Sequence, residues 1–355
     1  MGQSPGSKTA HCRRRNARIT ILLDERGFDD NASMSAIFGD DRTRPSAEQQ
    51  MTDDRSTQRK LTVVVAAWTG HDSLQRCLRS LLSQVRPGED EIIVARNFAD
   101  DLCGPFPAAA EFPTVADFGF AHDTNVPTLR AAGLVAAKGN VVAFLEDHCV
   151  CVPGWRDAIM AAHDLPVDAV GGPVDLASGG RPLDWAVYFY DYARFAPPLV
   201  SGQVYSLSGA NMSFKNSFLV GLGTALQDGV MEVILEQEST RRGTATYMAS
   251  DAVVIHGNHH SFGSAVVLAF ALAQGYASRR VLGKGTFQRI AFSTVTPLLP
   301  LLLMVRIVAA ILRTKRNVFR LMIAFPWLVT LVVAWSFGEC VGYLAGEGNS
   351  QRRWR

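Results

Sequence analysis

The 355-residue chain is long enough for one large domain or two smaller ones, with ample material for a core. Its formal net charge of +2 is close to neutral, so the chain as a whole has no nucleic-acid-binding signature. The six cysteines lack the spacing of a small secreted disulfide scaffold, and a reduced, cytoplasmic setting fits them better. Basic residues instead cluster beside apolar segments, a pattern typical of proteins at membrane surfaces.

The N-terminal residues 1–60 are rich in Ser, Asp, Arg, Gln and Gly. This composition predicts a disordered N-terminal extension, because it cannot bury enough apolar surface to fold. Ordered structure is expected to begin at 61–68 with "LTVVVAAW", a run typical of a fully buried strand. Leucines recur on one helical face of the following "DSLQRCLRSLLSQV", and "DEIIVARN" at 90–97 predicts a second strand. Strand, helix and strand in this order predict a βαβ unit with a parallel sheet.

Three polar residues end the next predicted strand. A helical pattern at 126–139 leads into the apolar run "NVVAFLE" at 140–146, and the chain then continues through Glu146, Asp147 and His148. Open α/β sheets bind ligands at the carboxyl ends of their strands. Carboxylate oxygens suit hard cations, and an imidazole is a ligand compatible with Mn²⁺. The triplet therefore indicates a metal or diphosphate site, and the alternative interpretation is a polar turn after an edge strand.

Helical and extended patterns alternate up to residue 262, without an internal repeat. We therefore expect residues 61–262 to form one α/β domain. Its later elements are predicted as a helix at 154–164, short strands at 168–176 and 204–214, a helix at 229–243, and a strand–turn–strand at 245–262.

The last third of the chain changes to long apolar segments. Residues 290–312 and 321–346 are each long enough to cross a hydrocarbon core of about 30 Å. Each segment carries one charge, Arg306 in the first and Glu339 in the second. They predict a hydrophobic helical hairpin that is either transmembrane or re-entrant.

Two further segments flank this hairpin. Residues 263–289 contain an apolar stretch too short to span, which predicts an amphipathic or interfacial linker helix, and residues 347–355 form a basic tail. Basic runs stand at both ends of the hairpin, so the positive-inside rule does not choose between spanning and re-entrant arrangements.

Six motifs along residues 61–346 resemble, in their order, those of family-two glycosyltransferases, which have the GT-A fold. "VVVAAWTGHDSLQRCLRSLLSQ" resembles the strand and helix under the nucleotide, and "LRAAGLVAAKGNVVAFLEDH" the helix and strand that lead to the metal. "IIVARNFADD" stands where the family has loop residues near the base, and "SLSGANMSFKNSFL" resembles the acceptor-side segment. "GVMEVILEQESTRRG" resembles the helix of the catalytic base, and "DAVVIHGN" ends in a His often found after it. The resemblance implies a Rossmann-like α/β domain with a mostly parallel sheet.

The family reaction implied by this resemblance is an inverting transfer of a sugar from a nucleotide-sugar donor, here a UDP- or GDP-sugar. Glu232 stands at the position of the catalytic base, with Asp228 in reserve. The acceptor is expected to be a lipid-linked or growing glycan, as in polysaccharide biosynthesis.

The resemblance also implies a divalent metal, Mn²⁺ or Mg²⁺, that assists departure of the diphosphate. Asp147, His148 and His256 are the expected metal ligands. The family's Asp-x-Asp is replaced here by a triplet that ends in His, so the ligand is Asp147, His148, or Glu146 with His148. The expected contacts to the nucleotide-sugar or acceptor are Asp100, Arg130, Glu146 and Asn211.

Membrane-attached bacterial members of the family provide the expected location, the cytoplasmic face of the inner membrane. Membrane lipids are then partners and nucleic acid is not. A nucleotidyltransferase is a weaker alternative, because "AAWTGHDS" lacks a Gly-rich loop with a basic residue. A catalytically inactive membrane scaffold with a transferase-like domain is the alternative from another class.

Overall fold

The computed structural model describes residues 60–97, 115–122, 124–226, 229–257 and 259–353. The predicted N-terminal extension lies outside the described residues, as do Asp100 and Asp228. The predicted strands and helices follow in the predicted order, and the structure adds a strand at Val115–Phe120 and helices at Pro182–Tyr192 and Asn216–Leu222. The strands are β1 (Leu61–Ala67), β2 (Asp90–Asn97), β3 (Val115–Phe120), β4 (Val141–Glu146), β5 (Cys149–Cys151), β6 (Ala169–Gly171), β7 (Val174–Leu176), β8 (Gly202–Gln203), β9 (Asn211–Lys215), β10 (Thr246–Met248) and β11 (Val254–His256).

The helices separate the strands up to β11 and make up the chain after it. They are α1 (His71–Leu82), α2 (Val126–Ala136), α3 (Trp155–His163), α4 (Pro182–Tyr192), α5 (Asn216–Leu222), α6 (Glu232–Arg242), α7 (Phe262–Arg280), α8 (Thr286–Thr294), α9 (Leu299–Thr314) and α10 (Val318–Ala345).

An eight-stranded sheet forms the centre of the fold, in the order β3-β2-β1-β4-β9-β6-β10-β8. The strands from β3 to β4 are parallel, β9 is antiparallel to both β4 and β6, and β10 is parallel to β6. A smaller sheet, β5-β11-β7, lies beside it. This arrangement confirms the predicted α/β, GT-A-like fold with a mostly parallel sheet.

Burial explains why the apolar runs form the central strands. Every residue of β1 is buried, as expected for a strand covered on both faces. The predicted leucine face of α1 packs on this sheet through Leu74, Leu78 and Leu81. The core on the other side of the sheet includes Phe144 of β4 and Phe214 of β9.

The C-terminal helices cover one side of the α/β domain. Buried residues of α4, α7, α9 and α10 form one apolar cluster, which includes Tyr188, Ala269, Ile307 and Leu328. Two helical stretches, Thr286–Thr314 and Val318–Ala345, are long and apolar enough to cross a membrane by length and composition. The first is not one regular helix, because a tight 3-10 turn at Thr296–Leu298 joins α8 to α9.

Candidate functional site

The predicted acidic triplet lies at the centre of the sheet. Strand β4 lies between β1 and β9 and ends at Glu146, and a turn through Asp147 and His148 leads into β5. Strand β1 has β2 on one side, and it has β4 on the other side. This is the switch point of the strand order, where open α/β sheets form a ligand crevice.

Asp147 is fully buried and binds the loop after β1. Its Oδ2 accepts hydrogen bonds from the backbone N–H groups of Trp68 (3.1 Å) and Thr69 (2.8 Å). Its Oδ1 accepts the Thr69 hydroxyl at 2.8 Å. Both oxygens are therefore occupied by the protein, and the carboxylate joins two loops at the end of the sheet.

His148 lies between two carboxylates. Its Nε2 is 3.1 Å from Glu146 Oε2, and its Nδ1 is 3.3 Å from Asp147 Oδ1. Burial acts to lower the pKa of His148, but the hydrogen bonds to Asp147 and Glu146 outweigh it and raise the pKa to about 9. At neutral pH this histidine therefore carries a positive charge.

The ring of His256 packs edge-on against His148, with centroids 4.5 Å apart. Burial lowers the pKa of His256 well below its usual range, and the His148 cation lowers it further. His256 is therefore neutral and retains lone-pair character suitable for a ligand.

Arg130 links the acidic turn to helix α6. Its side chain is only 2% exposed, and Nη2 donates to Glu146 Oε1 at 2.9 Å. Nη1 donates to Glu232 Oε1 at 2.7 Å, and the Tyr276 hydroxyl donates to Glu232 Oε2 at 2.9 Å. Burial opposes the charge on Arg130, but the two glutamates outweigh it and raise its pKa. One arginine thus holds two carboxylates from distant parts of the chain.

A glycine makes this close packing possible. Arg130 Nη2 also donates to the backbone oxygen of Gly209 at 3.0 Å. A Cβ atom at Gly209 would overlap with Glu232 Oε1 and crowd the Arg130 guanidinium. The small residue in the "SGAN" motif is therefore required by the side chains that pack over it.

Asn211 has a different place from the one expected. Its Oδ1 accepts the indole N–H of Trp155 at 3.0 Å, and its Nδ2 donates to the backbone oxygens of Ala252 (2.7 Å) and Pro173 (3.2 Å). The amide is fully buried and connects β9 with α3 and with the loops before β7 and β11. It positions the backbone below the site and does not line the cavity.

A cavity of about 910 Å³ extends from these residues to the C-terminal helices. Of the predicted site residues, the structure brings five to its wall and leaves Asp147 and Asn211 behind it. Its wall includes these five, which are Arg130, Glu146, His148, Glu232 and His256. The C-terminal helices contribute apolar residues such as Leu299, Leu303 and Ile307 and the charged Arg280, Arg306 and Glu339.

Sequence reasoning missed several further polar residues of this cavity, among them Asp191, Glu236 and Tyr276. Burial and the nearby Glu146 carboxylate raise the pKa of Asp191 to about 8. Burial also raises the pKa of Glu236 to about 7. Tyr276, the partner of Glu232, lies in an apolar run predicted only as an interfacial helix. The sequence signal for Asp191 is an acid within the aromatic stretch "YFYDYARF".

The side-chain atoms available as metal ligands limit what kind of metal site is possible. Within the described ranges, no group of three or more His, Cys, Asp or Glu side chains is arranged around a common point. Glu146 Oε2 and His148 Nε2 are two possible ligand atoms, 3.1 Å apart, on residues that line the cavity. Two ligand atoms from the protein suit a metal ion whose remaining ligands are phosphate oxygens and water.

The chain is similar to known glycosyltransferases. Residues 62–220 match the model of glycosyl transferase family 2. No curated protein matches the chain significantly. A similar solved structure is that of GalNAc-T7 with UDP, GalNAc and Mn²⁺, at 13% sequence identity and a TM-score of 0.46. The alignment covers 57% of this chain and 44% of that one, so the chain spans less than half of the length of that protein.

Proposed function

Because residues 62–220 match the model of glycosyl transferase family 2, we propose that the chain is a glycosyltransferase that transfers a sugar from a UDP- or GDP-sugar to a lipid-linked glycan acceptor, with inversion. The observation that carries this proposal is the continuity of one cavity from Glu146 and Glu232 to the apolar helices. An apolar wall next to the charged residues suits an acceptor that carries a hydrocarbon chain beside its reacting hydroxyl, because burial of that chain is favourable.

The nucleotide-sugar is proposed to bind in the crevice between β1 and β4, with its diphosphate toward Glu146 and His148. A divalent cation, Mn²⁺ or Mg²⁺, supplies charge neutralisation for the departing diphosphate when it is bound. Glu146 and His148 are the residues that would hold it, with His256 beside them. His148 must lose its proton to act as a ligand, so metal binding would release a proton.

Glu232 is proposed to be the catalytic base. It lines the cavity, and Arg130 Nη1 donates a hydrogen bond to its Oε1 at 2.7 Å, which leaves Oε2 as the oxygen that can act as base. A carboxylate oxygen has two lone pairs, so Oε2 can accept the hydroxyl proton of the acceptor while it keeps the Tyr276 hydrogen bond. The freed oxygen then attacks the anomeric carbon on the face opposite the diphosphate, which inverts that centre.

Arg130 is proposed to act by position. It holds Glu146 and Glu232 on the same side of the cavity, so the residue near the leaving group and the base keep a constant separation. Its own charge is already shared between these two carboxylates and the Gly209 carbonyl. We therefore expect it to orient the site more than to bind the diphosphate directly.

The proposed location is the cytoplasmic face of a bacterial inner membrane. Nucleotide-sugars are cytosolic, and the apolar stretches Thr286–Thr314 and Val318–Ala345 supply an attachment. The basic residues beside them favour anionic lipids.

A transfer assay tests the proposal. Detergent-purified protein is incubated with labelled UDP- and GDP-sugars, Mn²⁺ and a lipid extract, and label is measured in the organic phase. We expect Glu232→Gln to reduce transfer by about 100-fold or more. The control is Glu238→Gln, because Glu238 lies on the same helix but pairs with the exposed Arg241.

Retained transfer in Glu232→Gln would remove Glu232 as the base. The anomeric configuration of the product, read by NMR against the donor, tests inversion separately. Transfer of label to water-soluble oligosaccharide alone would contradict the lipid-linked acceptor and leave the family assignment intact.

A further inference from the structure

We infer that α8, α9 and α10 form a hairpin that lies in the plane of one membrane leaflet and does not cross the bilayer. The catalytic domain covers its inner face, and lipid covers its outer face. This inference rests on the proposed membrane location, and it selects the re-entrant arrangement over the spanning one.

Contacts near the start of α10 place it against the catalytic domain. Arg316, in the turn between α9 and α10, donates to the backbone oxygen of Pro197 at 3.0 Å and pairs with Asp175 of β7 at 3.3 Å. The guanidinium of Arg320 lies over the ring of Trp185 in α4, 5.5 Å from its centroid. The tip of the hairpin therefore touches the domain that carries the active site.

The same domain touches α10 far along its length. The ring of Trp335 packs on Tyr190 of α4, with centroids 5.4 Å apart. Trp335 lies roughly 26 Å along the helix axis from Val318, at a rise of about 1.5 Å per residue. A hydrocarbon core is about 30 Å thick. If α10 crossed it, the catalytic domain would have to enter the hydrocarbon beside it, with its polar loops unsolvated.

Helix α7 repeats this arrangement. Just before its N-terminus, the backbone oxygen of His260 accepts a hydrogen bond from Arg181 at 2.9 Å. Near its C-terminus, Tyr276 donates to Glu232 of the active site. The helix is therefore held to the catalytic domain at both ends, and it cannot leave the domain to span a bilayer.

Two glycines attach α10 to this fixed helix. A Cβ atom at Gly338 would overlap with the backbone oxygen of Phe270, and one at Gly342 with that of Gln274. Small residues four apart allow helix backbones to approach closely. Helices α7 and α10 thus form one layer over the active-site cavity.

The outer face of the hairpin is apolar along its length. The buried face of α10 includes Leu321, Leu328 and Leu331, which pack on the domain. The opposite face exposes large apolar side chains from one end of the hairpin to the other, and such a patch marks a protein or membrane interaction site. Its exposed residues include Phe287, Ile290, Leu298, Leu301, Leu302, Val305, Phe319, Met322, Phe337 and Leu344.

Charge at both ends identifies the occupant of this face as a bilayer with anionic lipids. The tip carries Arg313, Lys315, Arg316 and Arg320, and the opposite end carries Arg279, Lys284 and Arg289. A spanning hairpin would place these two groups on opposite sides of the membrane, against the positive-inside rule. An in-plane hairpin places both at the cytoplasmic headgroups, where exposed basic residues are attracted to anionic lipid.

Cysteine accessibility tests the inference in the full chain. Arg313→Cys marks the tip and Lys284→Cys the opposite end, because both side chains are exposed and neither makes a hydrogen bond or ion pair within the described part of the chain. Each variant is treated with a membrane-impermeant maleimide in spheroplasts and in inside-out vesicles, with the wild-type cysteines as background. We expect both sites to react at least tenfold faster in inside-out vesicles.

Faster labelling of either site from the spheroplast exterior would overturn the in-plane hairpin. A site that reacts in detergent but in neither membrane preparation would also overturn it, because the headgroup level is accessible to the reagent. Protein that fails to sediment with membranes would instead contradict the proposed membrane location itself. The three failures are therefore distinguishable.

Discussion

Replacement of Arg130 by Met is expected to destabilise the catalytic domain while keeping the volume of the side chain. The variant leaves Glu146 and Glu232 facing each other in a poorly solvated site without the cation between them. Removal of one partner from a buried ion pair costs about 3–5 kcal/mol. His148 still neutralises Glu146, so we expect a cost near the lower limit, about 3 kcal/mol.

Thermal unfolding in detergent measures this cost. For a domain of this size, about 3 kcal/mol corresponds to a decrease in Tm of roughly 6–12 °C. The double variant Arg130→Met/Glu232→Gln should recover part of the decrease, because it removes one of the two charges left unpaired. Arg241→Met is the matched control, since the Arg241–Glu238 pair is exposed and such pairs contribute about 1 kcal/mol or less.

A Tm for Arg130→Met within about 2 °C of the wild type, matching the Arg241→Met control, would refute the reasoning. It would mean that water or a rearranged side chain solvates the two glutamates. A further decrease in the double variant would show that Glu232 stabilises the fold by contacts other than its charge.

Three further predictions concern single residues. Gly209→Ala should lower the transfer rate by about 100-fold, because the new Cβ displaces Glu232. Gly202→Ala is the control, since a Cβ there contacts no other atom, and it should leave the rate unchanged. Equal rates in the two variants would contradict the packing of Glu232 over Gly209. Gly338→Ala should cost about 1–3 kcal/mol by separating α10 from α7, seen as a lower Tm, while Gly263→Ala at an open helical position should not lower it. Burial and Lys215 lower the pKa of His163 to about 4. The unfolded chain therefore binds a proton that the folded chain excludes, and stability falls as pH decreases from about 6.5 to about 4, by about 3 kcal/mol for this group. His163→Gln should flatten that part of the stability profile, and an unchanged slope would count against it.

Local sequence patterns were sufficient to predict the central strands that carry the site. Continuous apolar runs predicted β1, β2 and β4, because a strand that is covered on both faces has apolar residues at nearly every position. The order of strands and the motif at the end of β4 then placed Glu146 and His148 at the ligand crevice. Arg130 and Glu232 were expected at the site from the family resemblance, and the structure brings both to one cavity.

Side-chain direction within the site could not be predicted. Asp147, His148 and Glu146 are consecutive, and the turn after β4 decides which of them faces the cavity. The turn directs Asp147 to Thr69, a contact across 78 residues that no local pattern reveals. The Asn211 side chain likewise turns away from the cavity. Its Oδ1 accepts the indole N–H of Trp155, which is buried and requires an acceptor.

The C-terminal helices show a second limit of sequence reasoning. Hydropathy identifies apolar length, which a spanning helix and an in-plane helix share. The distinction depends on Arg316, Trp335 and Tyr276, whose partners lie far away in the chain. Only the folded arrangement shows that the hairpin and α7 lie over the active site.

Calorimetric titration with UDP and GDP tests the central claim most directly. Detergent-purified protein is titrated with each nucleotide, with and without Mn²⁺, beside Glu146→Gln and the control Glu238→Gln. We expect metal-dependent binding of one nucleotide that is weakened at least tenfold in Glu146→Gln and unchanged in Glu238→Gln. Folded wild-type protein that binds neither nucleotide in the presence of Mn²⁺, or a Glu146→Gln variant that binds as tightly as the wild type, would contradict a donor site at the end of β4.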